Sequence, residues 1–416
     1  MTTDNEEPTA GDPQPSDSDT PREDGPGSEQ NDPALLNEPL ASQHTSNFPQ
    51  ILQQLGITLL VTTYQAGRVI AVRADGDQLN THFRIFPKPM GLAANGQRFA
   101  VGTAAEIKTY KNVPAVCPRL DLEEKPDDAP DDWQPGPLPE VPTHDACYVP
   151  FTSDVTGDID IHEMAYAADD ELWFINPRFS TLCTRDKDNN FVPRWRPKFV
   201  TALTPEDRCH LNGLGMRDGK PRYVTALGTT DTPQGWRKDK ASGGVLIDLE
   251  RGRTLVAGLS MPHSPRWYND KLWVMESGIG TLANVEPGTG RVQTVCELPG
   301  FTRGLDFAGP LAFIGLSQVR EKAVFSGLPI TERLSEEERA CGIYVVNILS
   351  GEIVAFLKFT SGVREVFAVS VIPSRFPEIL EPSSKLIFST YVVPDEALRD
   401  VPKPSAAPDT AIPQDD

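Results

Sequence analysis

The 416-residue chain contains no run of about 18 apolar residues, so no stretch of it is built to cross a bilayer as a helix. Its first residues, Met1-Thr2-Thr3-Asp4-Asn5-Glu6-Glu7, lack the basic start and apolar centre of a secretory signal. The expectation is a cytoplasmic protein. Cysteine is scarce and scattered: Cys117, Cys147, Cys183, Cys209, Cys296 and Cys341 show no C-x-x-C spacing. That excludes the common zinc-ribbon and thioredoxin-like motifs, and reduced thiols are the expected state. G-x-S-x-G, H-E-x-x-H, a P-loop and a G-x-G-x-x-G after a strand are all missing. The signatures of serine hydrolases, zinc proteases, nucleoside triphosphatases and dinucleotide enzymes are therefore absent.

Basic residues are few relative to acids, 39 against 59, for a net charge of −20. The excess is localised. Residues 1–45 carry eleven acids and one base, residues 117–145 nine acids and two bases, and residues 400–416 four acids and one base. The rest of the chain is neutral. Phosphate backbones require a basic surface, so nucleic acid is not an expected partner. Residues 1–45 and 393–416, rich in Pro and acids, bury too little apolar surface to offset chain entropy and are expected to be disordered. The Pro- and Asp-rich stretch from Glu123 to Pro142 reads as a mobile surface loop.

What the chain does have is a repeated hairpin. Polar residues precede a short apolar run at Pro89-Met90-Gly91, Ile161-His162-Glu163-Met164, Arg208-Cys209-His210-Leu211-Asn212-Gly213, Pro262-His263-Ser264-Pro265, Thr302-Arg303-Gly304 and Arg364-Glu365-Val366. A second β-type run follows each: Arg98–Val101, Leu172–Ile175, Arg222–Thr225, Leu272–Met275, Leu311–Ile314 and Leu386–Phe388. The runs are short, rich in β-branched and aromatic residues and bounded by Gly, Pro, Asn and Asp, which is strand rather than helix patterning. Six copies argue for radial repetition. The fold expected is all-β: a closed six-bladed β-propeller over residues 46–392, with insertions at about 104–160 and 318–341. Leu59–Val72 resembles the second and third strands of a blade with no inner strand before it. Val366–Val371, from the far end, is the candidate to complete that blade and close the ring. Phe48–Leu55 suits a short helix packed outside the barrel. Ser335-Glu336-Glu337-Glu338 has the form of a capping box and suggests a short helix there. The polar loop Gly228–Lys240 is long enough to lean over one end of the channel.

Several motifs are long enough to carry a resemblance. Gly157-Asp158-Ile159-Asp160-Ile161-His162, Phe191-Val192-Pro193-Arg194-Trp195-Arg196-Pro197, Glu206-Asp207-Arg208-Cys209-His210-Leu211-Asn212-Gly213, Gly243-Gly244-Val245-Leu246-Ile247-Asp248 and Leu259-Ser260-Met261-Pro262-His263-Ser264-Pro265-Arg266 resemble a bacterial family of conserved hypothetical proteins over residues 50–375. That family has no assigned activity. More distantly the blades are similar to the gluconolactonase and senescence-marker superfamily. That resemblance implies a divalent metal held in the central channel by carboxylate and amide oxygens.

Inner strands line a propeller's channel, so residues at one end of them ring its mouth. The repeats align His162/Glu163, Leu211/Asn212, His263/Ser264, Thr302/Arg303, Arg364/Glu365 and Pro89/Met90, with His210 one place earlier. Three of the six histidines thus fall at or beside one position. Polar channel residues often bind only water and tie blades together. A converging ring of His, Glu, Asn and Arg is better explained by a ligand. The candidate ligand-binding set is His162, Glu163, His210, Asn212, His263, Arg303 and Arg364. Within it Glu163, His210, Asn212 and His263 form a candidate set for a divalent metal. The two arginines suit a carboxylate or phosphate. The reading is a site for a small polar or anionic molecule, with a metal as a candidate cofactor. A gluconolactonase-like metal-dependent hydrolase and a scaffold that holds a protein partner through its surface loops are the alternatives. Trp195, Trp236 and Trp267 suit blade packing first and sugar stacking second.

Overall fold

The computed structural model describes residues 31–122, 130, 136–318 and 327–401. Six sheets stand around one axis, each with four antiparallel strands from the channel outward, in sequence order in blades one to five. Blade one runs Leu92–Ala94, Arg98–Gly102, Glu106–Asn112 and Ala146–Val155. Blades two, three and four begin at Met164–Tyr166, Leu211–Arg217 and Pro262–Tyr268. Blade five begins at Phe301–Ala308, and blade six pairs Ala368–Ile372 with Thr58–Thr63, Arg68–Asp75 and Gln78–Ile85. The expected closure is present: Thr58 lies opposite Ile372 and Thr62 opposite Ala368. The two-residue periodicity of side-chain direction explains the cohesion between blades. Alternate residues of a strand face opposite sides of its sheet. Leu59, Val61, Ile70 and Val72 pack toward blade five, whereas Leu60, Val69 and Ala71 pack toward blade one. The same division gives one apolar core at each of the six blade interfaces. Each fully buried aliphatic side chain there contributes about 1.5–3 kcal/mol.

Several expectations are corrected. Residues 31–45 are not disordered: Pro33–Asn37 is a helix with Leu35 buried, and Ala41–His44 adds a fifth strand to blade five. The reason lies in blade six. The buried Arg68 guanidinium donates to the carbonyls of Leu35, Leu36 and Glu38 at 3.1, 3.1 and 2.8 Å, and to Gly362 O at 2.7 Å. Residues 1–30 and 402–416, and most of the Glu123–Pro142 stretch, lie outside the described residues. Residues 104–160 are no insertion as a whole, because they contain the two outer strands of blade one; the insertion proper is 113–145. Leu386–Phe388 is not a strand but part of the 3-10 helix Lys385–Ser389. Its place as partner to the sixth inner strand is taken by Thr58–Thr63. Near the capping box the helix is Pro329–Arg333, which precedes it. Ser335 N–H does donate to Glu338 Oε2 at 2.8 Å, but the segment makes only a turn.

Phe48–Leu55 forms the expected helix. Phe48, Ile51, Leu52 and Leu55 recur at helical spacing and pack on the blade five–six core, and Gly56 ends the helix at φ 66°. After blade six's inner strand the chain crosses to blade one: Pro377–Ile379 pairs in parallel with Ala146–Tyr148 and covers that blade's outer edge.

Candidate functional site

The hydrogen-bond ladder sets which residues share a level. Met90 N donates to Gly102 O and Gly102 N to Gly91 O; His162 N donates to Ile175 O and Ile175 N to Glu163 O. His162 is therefore level with Met90, and Glu163 with Gly91. In blade six Phe367 N donates to Thr62 O, which places Phe367, not Arg364 or Glu365, at that level. The sequence alignment is one residue off in blade two and further off in blade six. A slip of one residue turns a side chain to the other face. The level residues precede or enter their strands through left-handed backbone. Lys88, Asp160 and Met261, each two residues before Met90, His162 and His263, have φ of 48°, 54° and 46°. His210 itself sits at 47° and so reaches the mouth ahead of its own strand. Such conformations cost roughly 1–3 kcal/mol each and persist where the surroundings hold them.

A chamber at this end of the channel is lined by His162, His210, His263 and Arg303 together with Asp160 and Trp236. Tyr64, Met90, Met261, Phe301 and Phe367 supply much of its apolar wall. Its empty space is about 470 Å³ with the open mouth included, of which about 40 Å³ admits the centre of a water molecule. Four of the seven expected ligand-binding residues are thus brought together. The other three are not. Glu163 accepts from Leu214 N at 2.8 Å and from the Arg266 guanidinium, which also donates to Leu305 O and Leu214 O at 3.0 and 2.9 Å. The carboxylate ties blades two, three and four. Asn212 donates to Pro262 O at 3.0 Å and accepts from Thr225 Oγ1 at 2.6 Å, so both ends of its amide are used between blades three and four. Arg364 is exposed and contributes its carbonyl to Gln318 N. The quartet Glu163, His210, Asn212 and His263 is consequently not assembled. Among the described residues no group of three or more His, Cys, Asp or Glu is arranged to hold a metal ion.

Each imidazole in the chamber is anchored through Nδ1. His162 Nδ1 lies 2.6 Å from Asp160 O, and His210 Nδ1 lies 3.0 Å from both Asp207 carboxylate oxygens. His263 Nδ1 lies 3.0 Å from Met261 O and 2.8 Å from Ser277 Oγ. Ser277 gives its own proton to Thr302 O at 2.5 Å, so it accepts from His263. These acceptors assign the proton to Nδ1 and leave a lone pair on Nε2. Burial pushes His162 and His263 well below the ordinary histidine range, and neighbouring Arg303 adds to the effect. Burial opposes charge on Asp160, but His162, Lys88 and His210 hold its carboxyl down at about 2, with Lys88 Nζ at 3.4 Å.

Arg303 is held in place by two contacts. Its Nη2 donates to His162 Nε2 at 3.1 Å, and its guanidinium lies 4.0 Å from the centre of the Phe367 ring. The polar loop does lean over the mouth. Its Trp236 is buried, lies against His210 with ring centres 4.6 Å apart and planes tilted by 37°, and donates Nε1–H to Asp207 at 2.9 Å. Arg237 lies 4.8 Å over the Trp236 ring, with Nε and one Nη buried and lacking a hydrogen-bond partner. Trp195 and Trp267 stay outside the chamber, in an outer strand and against Arg217. Sequence reasoning missed Asp160, Asp207, Tyr64, Phe367 and Arg237. Asp160 and Asp207 stand inside motifs already singled out, two and three residues before a histidine, and that spacing was the available signal. Tyr64 and Phe367 come from opposite ends of the chain and gave none.

No helix among the described residues is long and apolar enough to cross a membrane. All six cysteines are free and buried. Two solved structures are similar to the chain at 9% identity. A chain from a crystal structure of a nidogen/laminin complex has a TM-score of 0.45, covering 76% of this chain and 98% of that one. A protein of unknown function from Bacteroides caccae has a TM-score of 0.44 with the same coverage. No curated protein matches the sequence. A family model does match, over residues 46–380, the span that holds all six blades and every chamber residue: the chain belongs to the family described as a domain of unknown function, DUF4915.

Proposed function

We propose that the mouth of the propeller channel binds a small polar molecule bearing a negative charge, with Arg303 as its anchor. One observation carries the reading. Among the described residues the Arg303 guanidinium makes a single hydrogen bond, to a neutral imidazole, and no carboxylate stands within ion-pair distance of it, Glu365, Asp160 and Glu163 acting only from farther off. A cation removed from bulk water without a counter-charge is costly unless a ligand supplies one. Arg237, over the Trp236 ring and with two buried nitrogens unpartnered among the described residues, adds a second positive group beside the mouth. His162 and Phe367 fix the guanidinium plane, which suits two-point binding of a carboxylate. The ligand-facing set then comprises His162, His210, His263 and Arg303, whereas Glu163 and Asn212 act as blade ties.

The alternatives rank lower. A gluconolactonase-like hydrolase rests on a metal quartet that is not assembled. A scaffold working through its surface loops leaves Arg303 without a contacting counter-charge among the described residues. Six buried free thiols support a reducing compartment, the cytoplasm. The test is a series of small anions (formate, acetate, phosphate) titrated against the full chain, followed by thermal unfolding and by NMR. A ligand at 100 times its Kd stabilises by about 2.7 kcal/mol. Arg303→Gln should abolish that gain while the variant stays folded. If Arg303→Gln binds the same anions as well as the parent, the chamber is not the site.

A further inference from the structure

We infer that the ligand is a small hydroxycarboxylic acid, with its carboxylate on Arg303 and its hydroxyl donating to the open Nε2 lone pairs of His263 or His210. The inference rests on the anion-binding reading above and adds the chemical class. The chamber is two-sided. Arg303 offers hydrogen-bond donors, whereas the histidines offer acceptors. Both Nδ1 atoms, of His210 and of His263, are tied to protein oxygens. Among the described residues neither Nε2 has a hydrogen-bond partner. A simple carboxylate has acceptors only, so it would satisfy Arg303 and leave two lone pairs facing its oxygens. A ligand that fits must carry a donor as well as a negative group. An ammonium would supply donors, but Asp160, the carboxylate in the chamber wall, already faces Lys88 at 3.4 Å, and Arg303 in the wall with Arg237 behind Trp236 disfavours a second cation. A hydroxyl donates without charge. The wall formed by Met90, Met261 and Phe301 suits a short carbon skeleton. Size sets the length. One water needs about 10–15 Å³ of the space open to its centre, so about 40 Å³ holds roughly three waters, the bulk of a two- or three-carbon acid.

The experiment compares acids that differ only in the hydroxyl, on the full chain. Glycolate and the two lactate enantiomers are titrated by calorimetry beside acetate, propionate and glycine. Sites that hydrogen-bond a substrate hydroxyl discriminate strongly against its absence, because the buried partner is left unpaired. Glycolate or one lactate should bind at least about tenfold tighter than its hydroxyl-less counterpart, and glycine should not bind. This ratio is read on the parent protein and needs no variant. His263→Phe and His210→Phe then remove a lone pair while keeping a ring. At least one of them should bring the ratio close to one without weakening acetate. Equal binding of glycolate and acetate overturns the hydroxyl assignment and leaves the Arg303 reading standing. Tight binding of glycine overturns it in favour of an amino acid. If no acid binds, or if Arg303→Gln leaves acid binding unchanged, both readings fall. If Zn²⁺ or Mn²⁺ stabilises the protein through these histidines and the acids do not, the lone pairs are metal ligands and the inference is wrong.

Discussion

Replacing Arg68 by Met asks how firmly the N-terminal segment is locked to the ring. Arg68 is 2% exposed and carries four hydrogen bonds to backbone carbonyls. Three go to the segment 35–38 and one to Gly362, at the turn that leads into blade six. Hydrogen bonds to a charged group are worth about 1.5–3 kcal/mol each. The loss should be smaller than four such bonds, because the carbonyls of Leu35, Leu36 and Glu38 regain water once the segment peels away. Met keeps most of the aliphatic stem but loses the guanidinium that lies 4.9 Å over the Phe83 ring. The expected cost is about 3–5 kcal/mol, the range for removing one partner from a buried charged network. Urea unfolding measures it. Deleting residues 1–40 should cost a similar amount, since it strips three acceptors from a buried guanidinium. The two changes together should cost clearly less than their sum, with a coupling of about 1.5 kcal/mol or more. A loss below about 1 kcal/mol for Arg68→Met, or strict additivity with the deletion, would refute the lock.

Three further outcomes follow from the geometry. Asp207→Asn keeps a residue type that tolerates the left-handed backbone at φ 48° but removes the charge shared by His210 and Trp236; the expected loss is about 1–2 kcal/mol in urea unfolding, with a changed His210 tautomer balance in ¹⁵N NMR. His162, His263 and His144 are all depressed, burial being the first cause in each. The unfolded chain then binds more protons than the folded one below the ordinary histidine value of about 6.5, so stability is complete above that pH and falls as pH drops, by up to about 1.4 kcal/mol per unit for each histidine. Unfolding free energies at pH 7.5 and 5.5 check this, and equal values would contradict it. Burial pushes the thiols of Cys147, Cys183 and Cys209 up to about 12, so the native protein should react slowly with a thiol reagent at pH 8 and the urea-unfolded chain should titrate six thiols.

The ring was legible because it depends on coarse patterns. Six short apolar runs with turn residues between them specify strands, and the orphan strands at Leu59–Val72 require a partner from the far end. The chamber depends on register, which is finer. His162 and Glu163 are neighbours in sequence, yet one reaches the chamber and the other is tied to Arg266 and Leu214. Nothing in the residue types distinguishes them; the ladder does. Setting Val366 opposite Gly91 brings Arg364 and Glu365 to the ring position, whereas the ladder brings Phe367 there. The level residue is the aromatic ring against which Arg303 stacks. The N-terminal error has a similar origin. The composition of residues 1–45 averages an acidic stretch with a short apolar one, Leu35 to Leu40, whose partners lie in blades five and six.

The seam in blade six has a consequence for the order of the blades. Five inner strands are joined to the next strand by a turn, whereas Ala368–Ile372 meets Thr58–Thr63 only through hydrogen bonds. The molecule is a hoop whose cut end is a matter of where the reading frame starts. Ile372 faces Thr58, so a few residues of linker would make that turn covalent and leave any other inner turn free to be opened. A gene rearranged in this way would begin at a different blade and encode the same six blades around the same chamber, without the outer segments 31–57 and 373–401. Its termini would then emerge on a different side of the ring.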